Sequence, residues 1–309
     1  MASDEEIQYQ RIRELILANE PDCEYEFELR STMYDQLRAE LGKDNADDSY
    51  PRLLYDWTRQ VVTIVTAPTY LHEDTSMSII TSLSNRVQSL LEREGIRVGA
   101  GQGLGWSASP KQMIKHGHLH YEMEPDGVIF FDTLDAREFK VVIEVGVSQS
   151  NDSLVEKARK WLYGQQCEIV LLQNTIENNH VAQMRRGWLS PSFSQFGPLE
   201  FGGHIWLNEI SEAFVEVVRR APDSDGIDSL TSMKYVLIDE GRDESSSVPA
   251  SVGDIRLGEC IPPDILGSDA AANIVVDFFN SDRFFMDIVR RAMVGTAINR
   301  FQRVVRSTH

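Results

Sequence analysis

The sequence predicts a mixed α/β (α+β) fold, a central sheet flanked by helices, with helical extensions at both ends. Three observations lead there. The runs Val128 to Phe131, Val141 to Val145 and Ile169 to Leu172 are short, apolar and rich in β-branched or aromatic residues, as buried strands are. Other stretches repeat apolar residues every three or four positions, the period of an amphipathic helix. The two patterns alternate through the middle of the chain, which separates it from all-helical and all-strand classes. With 309 residues, 42% of them apolar, there is enough material for one sizeable core plus extensions.

Residues 1–78 read as an acidic helical extension, with helices over 5–18 and 26–41 separated by Pro21. The core is expected over 79–220. It opens with a helix carrying Ile79, Ile80, Leu83, Val87, Leu90 and Leu91 on one stripe and stopping at Gly95. A short strand over 96–98 and a flexible loop over 99–110 follow; the loop's alternating glycines lack the spacing of a dinucleotide-binding turn. The runs at 128–131 and 141–145 flank a polar stretch of hairpin length. Ser153 and Glu156 have capping-box spacing and begin a helix that runs to Tyr163 and stops at Gly164. Strands over 169–172 and 203–207 complete the core. Residues 221–260 have the composition of an acidic linker or mobile loop, with a short strand over 235–238. Residues 261–309 form a helical extension, with helices over 270–279 and 283–306.

The formal net charge of −18 argues against a dedicated nucleic-acid binder, but its distribution softens that conclusion. Residues 1–60 hold 15 acids and 7 bases, whereas residues 79–210 hold 15 and 12, so a polyanion is not excluded from the middle of the chain. No apolar run approaches a membrane span, and the N-terminus lacks the features of a signal peptide. An intracellular protein, cytoplasmic or nuclear, is expected. Cys23, Cys167 and Cys260 are scattered without metal-binding spacing and read as reduced thiols.

The chemistry concentrates in Glu124-Pro125-Asp126-Gly127 and in Ile143-Glu144-Val145-Gly146. If the hairpin is centred on Asp135, Asp126 lies opposite Glu144, with Cβ atoms ~5 Å apart on one face. Two facing acids at the end of apolar strands are costly without a cation between them. Two bland alternatives stand beside a shared metal site: Pro-Asp-Gly is also a common turn, and a slip of one residue would send the acids to opposite faces. On the following helix Leu154, Ala158, Trp161 and Leu162 form the apolar stripe. Lys157 falls at its edge, from where its stem can reach toward the strand ends, whereas Lys160 should face water.

Together these residues resemble the PD-(D/E)-x-K, or restriction-endonuclease-like, superfamily. Pro125-Asp126 and Glu144 match its first two elements, but Gly146 stands where the lysine is usual. The run from Ile143 to Ser150, continued by Leu154, Lys157 and Trp161, is similar to the Uma2-type branch, in which the lysine has moved to the next helix with an aromatic residue four positions later. It is also similar to fungal proteins with a Glu-Val-Gly-x-Ser stretch. The resemblance covers residues 79–210. It implies a Mg²⁺- or Mn²⁺-dependent phosphodiester hydrolase acting on DNA or RNA. Asp126, Glu144 and the Val145 carbonyl would hold the metal, and Lys157 would orient water or stabilise charge on the phosphate. The alternative is a catalytically inactive form of the fold that binds nucleic acid, or a protein partner through its acidic flanks or arginine-bearing C-terminal helix. His116, His118 and His120 would share a face if they lay on one strand and are a weaker metal candidate, with Lys111 and Lys115 nearby. Glu92 is a candidate extra acid.

Overall fold

The computed structural model describes residues 4–18, 20, 23–42, 50–108, 110–147, 149–177, 196–221, 229–239, 255–277 and 282–307. The chain divides into two compact units, Met1–Thr69 with Lys111–Glu124, and Tyr70–Pro110 with Pro125–His309. In chain order the first unit begins with α1 (Asp4–Ala18), β1 (Glu24–Glu28), α2 (Ser31–Glu40), β2 (Arg52–Asp56) and β3 (Val61–Val65). The second begins with α3 (Tyr70–Arg93) and β4 (Gly103–Ser107), after which β5 (Gln112–His116) and β6 (Leu119–Met123) return to the first. The second unit then continues with β7 (Gly127–Asp132), β8 (Arg137–Val147), α4 (Asn151–Lys160), a π-helical turn (Trp161–Gln165) and β9 (Ile169–Glu177). It ends with β10 (Leu199–Phe201), β11 (His204–Leu207), β12 (Ile210–Arg220), β13 (Leu230–Asp239), three single-turn helices and a long terminal helix, Asp282–Ser307.

The first unit differs from the helical extension expected over 1–78. It is built on a five-stranded sheet, ordered β1-β3-β2-β6-β5. The reason is legible in Glu24-Tyr25-Glu26-Phe27-Glu28, where acids and aromatics alternate with the period of a strand, exposed and half-buried in turn. Tyr9, Ile12 and Ile16 of α1 and Tyr34 and Leu37 of α2 share one core with Leu53, Tyr55, Val62 and Ile64 of the sheet. Buried Glu122 accepts the Tyr34 hydroxyl at 3.0 Å and the Tyr55 N–H at 3.1 Å, with the Lys111 ammonium 3.5 Å away.

The second unit is a mixed α+β fold around a six-stranded sheet ordered β13-β12-β9-β8-β7-β4. Only β8 and β9 pair in parallel, as a crossover through α4 requires. Residues 79–90 of α3 and the odd-numbered positions of β7, β8 and β9 share the main core, to which Val289, Ala292, Met293 and Ala297 of the terminal helix also belong. The even-numbered positions face α4, whose Leu154 and Ala158 are wholly buried.

Several local expectations change. The glycine-rich stretch is not a loop throughout, since Gly103–Ser107 pairs with β7 as the edge strand. A Cβ on Gly105 would lie 2.4 Å from the Phe130 ring, so glycine there admits the cross-strand aromatic. Residues 96–98 form no strand; Ile96 and Val98 instead pack onto the core beyond the Gly95 stop. Helix α4 starts earlier than expected, because Ser150 rather than Ser153 caps it by accepting the Ser153 N–H. It ends later, through the π-helical turn, at left-handed Gln166. The expected linker contains a ten-residue strand, Leu230–Asp239, and its flanks at 222–228 and 240–254 lie outside the described residues. The helix expected over 270–279 is a single turn, Asp269–Ala272, whereas the terminal helix spans the range predicted for it. Arg300 of that helix points inward, its guanidinium pairing with Glu177 at 2.9 Å and donating to the Trp206 carbonyl at 3.1 Å. The three cysteines are free thiols, and burial pushes those of Cys167 and Cys260 well up. No described helix is long and apolar enough to cross a membrane.

Candidate functional site

Strands β7 and β8 pair as Gly127↔Ile143, Val128↔Val142 and Ile129↔Val141, the register of a hairpin centred on Asp135. A bulge after Ile129 shifts the pairing by one toward the turn, where Arg137 binds Asp132 through two contacts of 2.8 and 3.1 Å. The bulge lies on the turn side of the site, and the ladder ends at Gly127↔Ile143, one residue short of Asp126.

Asp126 closes the ladder in a particular way. Its N–H donates to the Ile143 carbonyl at 3.1 Å, and its own Oδ2 accepts the Val145 N–H at 2.6 Å. The side chain thus takes the acceptor role that a strand carbonyl would otherwise fill. In an extended strand the carbonyl of a residue projects from the same edge as its N–H, so the Val145 carbonyl lies on the edge that Asp126 occupies.

Glu144 is 2% exposed on the α4 side of β8. Trp161, fully buried in the first residue of the π-helical turn, donates its indole N–H to Glu144 Oε1 at 2.5 Å. Lys157, one turn earlier, brings its ammonium 3.9 Å from Oε2 of the same carboxylate. The lysine also acts on Asp126. Burial would push the Asp126 carboxyl up, but His72, Lys157 and the Val145 N–H together hold it below the usual carboxylate range. Lys157 therefore reaches Glu144 from its helix, as its helical phase predicts. Lys160 is half-buried rather than fully in water.

Position 146 has little room for a side chain. A Cβ there would fall 2.7 Å from Asn174 Oδ1 and 3.0 Å from Leu154 Cδ1. Asn174, paired with Gly146 across the parallel ladder, fills the space that a longer side chain would need. Its Nδ2 donates to the Gln149 carbonyl at 2.7 Å, and its Oδ1 is buried without a hydrogen-bond partner among the described residues.

The residue that sequence reasoning missed is His72. Its Nε2 lies 3.3 Å from Asp126 Oδ1. Four residues on, Ser76 Oγ donates to the Asp126 carbonyl at 2.7 Å; four further, Ile80 packs where a Cβ on Gly127 would sit, 2.2 Å from its Cδ1. One face of α3 is laid along Asp126-Gly127, and His72 is its polar end. The only signal was the spacing of 72, 76 and 80, which the apolar stripe concealed because two of its members are polar. Glu92, the acid considered on this helix, is exposed some five turns away and accepts from Gln88.

The histidine cluster belongs to the other unit. His116 ends β5, His118 lies in the turn and His120 is on β6, stacked on Trp57 at 4.5 Å, so the three do not share one strand. Ser148 lies outside the described residues.

Two carboxylates and a backbone carbonyl are hard oxygen donors of the kind that Mg²⁺ and Mn²⁺ take, and the donor set fits such an ion. Among the described residues no three His, Cys, Asp or Glu side chains already converge on one point, so water would complete the coordination. In comparisons with known proteins, no family model, no curated protein and no solved structure matches this chain.

Proposed function

We propose that the second unit is a divalent-metal-dependent phosphodiester hydrolase of PD-(D/E)-x-K type, acting on DNA or RNA. The observation that carries this reading is the ammonium of Lys157, brought from α4 to 3.9 Å from Glu144 Oε2, which makes it the counterpart of the lysine that Gly146 lacks. Asp126, Glu144 and the Val145 carbonyl would hold Mg²⁺ or Mn²⁺. When bound, that ion supplies Lewis-acid polarisation of a phosphoryl oxygen and acidifies water. Asp126, ionised well below neutral pH, is ready to bind a cation without first losing a proton. Trp161 fixes Glu144 in one rotamer through its indole N–H. Lys157, a quarter exposed, is positioned to neutralise charge growing on a phosphate.

One set of observations favours a second reading, a catalytically inactive fold used for binding. Each carboxylate is already satisfied by protein groups: Val145 and His72 on Asp126, Trp161 and Lys157 on Glu144. Incubation of purified protein with plasmid DNA and with RNA, in Mg²⁺ or Mn²⁺, separates the two. Cleavage that disappears in Asp126→Asn and Glu144→Gln supports the hydrolase. No cleavage, together with no thermal stabilisation by either metal, leaves the binding reading in possession.

A further inference from the structure

We infer that His72 is a direct ligand of the ion held at Asp126, and that the site therefore prefers Mn²⁺ or a similar transition-metal ion to Mg²⁺. The inference rests on the metal-site reading above and adds a residue and a metal class to it.

Distance is the first argument. Ligand atoms bonded to one ion at ~2.1 Å stand about 3.0 Å apart in octahedral geometry and about 3.4 Å apart in tetrahedral geometry. His72 Nε2 and Asp126 Oδ1 are 3.3 Å apart, inside that interval. A charge-assisted hydrogen bond between the same groups would be shorter, about 2.7–2.9 Å.

Rigidity is the second. The imidazole is not on a loop: it sits in the first turn of a 24-residue helix whose next two turns are pinned to Asp126-Gly127 by the Ser76 hydrogen bond and by the Ile80 contact that only glycine allows. Leu71, beside it, donates its N–H to Thr296 Oγ1 at 2.9 Å, which ties this turn to the terminal helix. Access is the third. His72 and Asp126 are each about one-fifth exposed, so an ion can arrive with its water. Glu144, by contrast, is sealed at 2%.

Imidazole nitrogen is a softer donor than carboxylate and favours transition metals over Mg²⁺ and Ca²⁺. A site of one nitrogen and one to three oxygens should follow that order, with Mn²⁺ the ion that suits both donor types.

The test uses the full chain. Pulsed electron paramagnetic resonance of the Mn²⁺ complex should show coupling to a directly bound nitrogen. Calorimetric titration should give Mn²⁺ affinity at least about tenfold above that for Mg²⁺, and His72→Gln should lower Mn²⁺ affinity by about 10- to 100-fold while removing the nitrogen coupling. Mg²⁺ affinity should stay within about threefold of wild type, since its oxygen ligands remain. Mn²⁺ bound to wild type and lost in Asp126→Asn, but without nitrogen coupling, overturns the inference and leaves the hydrolase reading standing. No divalent binding by wild type overturns both. The wild-type spectrum decides even if the variant fails to fold.

Discussion

Replacing Gly146 by alanine tests whether Asn174 excludes a side chain from position 146. The new Cβ would meet Asn174 Oδ1 at 2.7 Å, Asn174 Cγ at 3.1 Å and Leu154 Cδ1 at 3.0 Å, all three closer than ordinary contact. Overpacking of this sort costs about 1–3 kcal/mol. Against it stands the gain from removing a flexible glycine from a strand, roughly 0.5–1 kcal/mol, so the net loss should be about 0.5–2 kcal/mol. For a unit of this size that is a fall of about 1–8 °C in unfolding temperature. Truncating Asn174 removes two of the three contacts, so Gly146→Ala made in an Asn174→Ala background should be nearly neutral, a coupling of about 1 kcal/mol or more. Calorimetric unfolding of the two single variants and the double variant, without metal, measures it. Additive effects, or a Gly146→Ala protein as stable as wild type, would refute the claim that Asn174 excludes a side chain at 146. A corollary concerns function: Gly146→Lys should not restore activity to Lys157→Ala, because its side chain must first displace the asparagine.

The remaining expectations follow from single contacts. Trp161→Phe leaves a buried carboxylate oxygen without its indole donor, which should cost about 1.5–3 kcal/mol in thermal unfolding and more in cleavage rate than in substrate affinity. Lys157→Met should abolish cleavage while retaining Mn²⁺ binding, measured by calorimetry; loss of metal binding instead would make the lysine a structural counter-ion only. Because the folded-state Asp126 carboxyl lies below its ordinary value of 3.8, its ionised form stabilises the fold. That contribution is fully present above about pH 4 and is lost as pH falls through the lower folded value. The stability difference between wild type and Asp126→Asn should therefore narrow on acidification below about pH 4, as urea titrations at several pH values will show.

Much of the site was legible because strands and helices have fixed periods. The hairpin centre at Asp135 gives the register as far as Gly127↔Ile143, since the bulge at Ile129 lies on the turn side of it. Lys157 could be separated from Lys160 by the helical angle to Leu154 and Ala158. The failures share a different cause. Helix and strand compete over the first sixty residues, where a high density of acids conceals the alternation of Tyr25 and Phe27 with glutamates. Gly103 to Ser107 reads as a loop because its glycines have no side chains to alternate, yet Gly105 is what the facing Phe130 demands. His72 escaped because its partner is fifty-four positions away, and contact between a helix and a distant strand end leaves no local period.

The arrangement of charge connects these pieces. Each of the two carboxylates has a basic side chain from a flanking helix beside it, Lys157 of α4 at Glu144 and His72 of α3 at Asp126. This makes the two acids unequal. On the α4 side, Trp161 and Lys157 grip an acid that is nearly sealed, so a change there is felt first as lost stability. At the other acid, His72 and Asp126 are each about one-fifth exposed and stand at a distance an ion can bridge, so a change there is felt first as lost binding. A metal titration that shifted the unfolding temperature of Glu144→Gln but not of Asp126→Asn would place the ion at Asp126 and His72, with Glu144 as support rather than principal ligand.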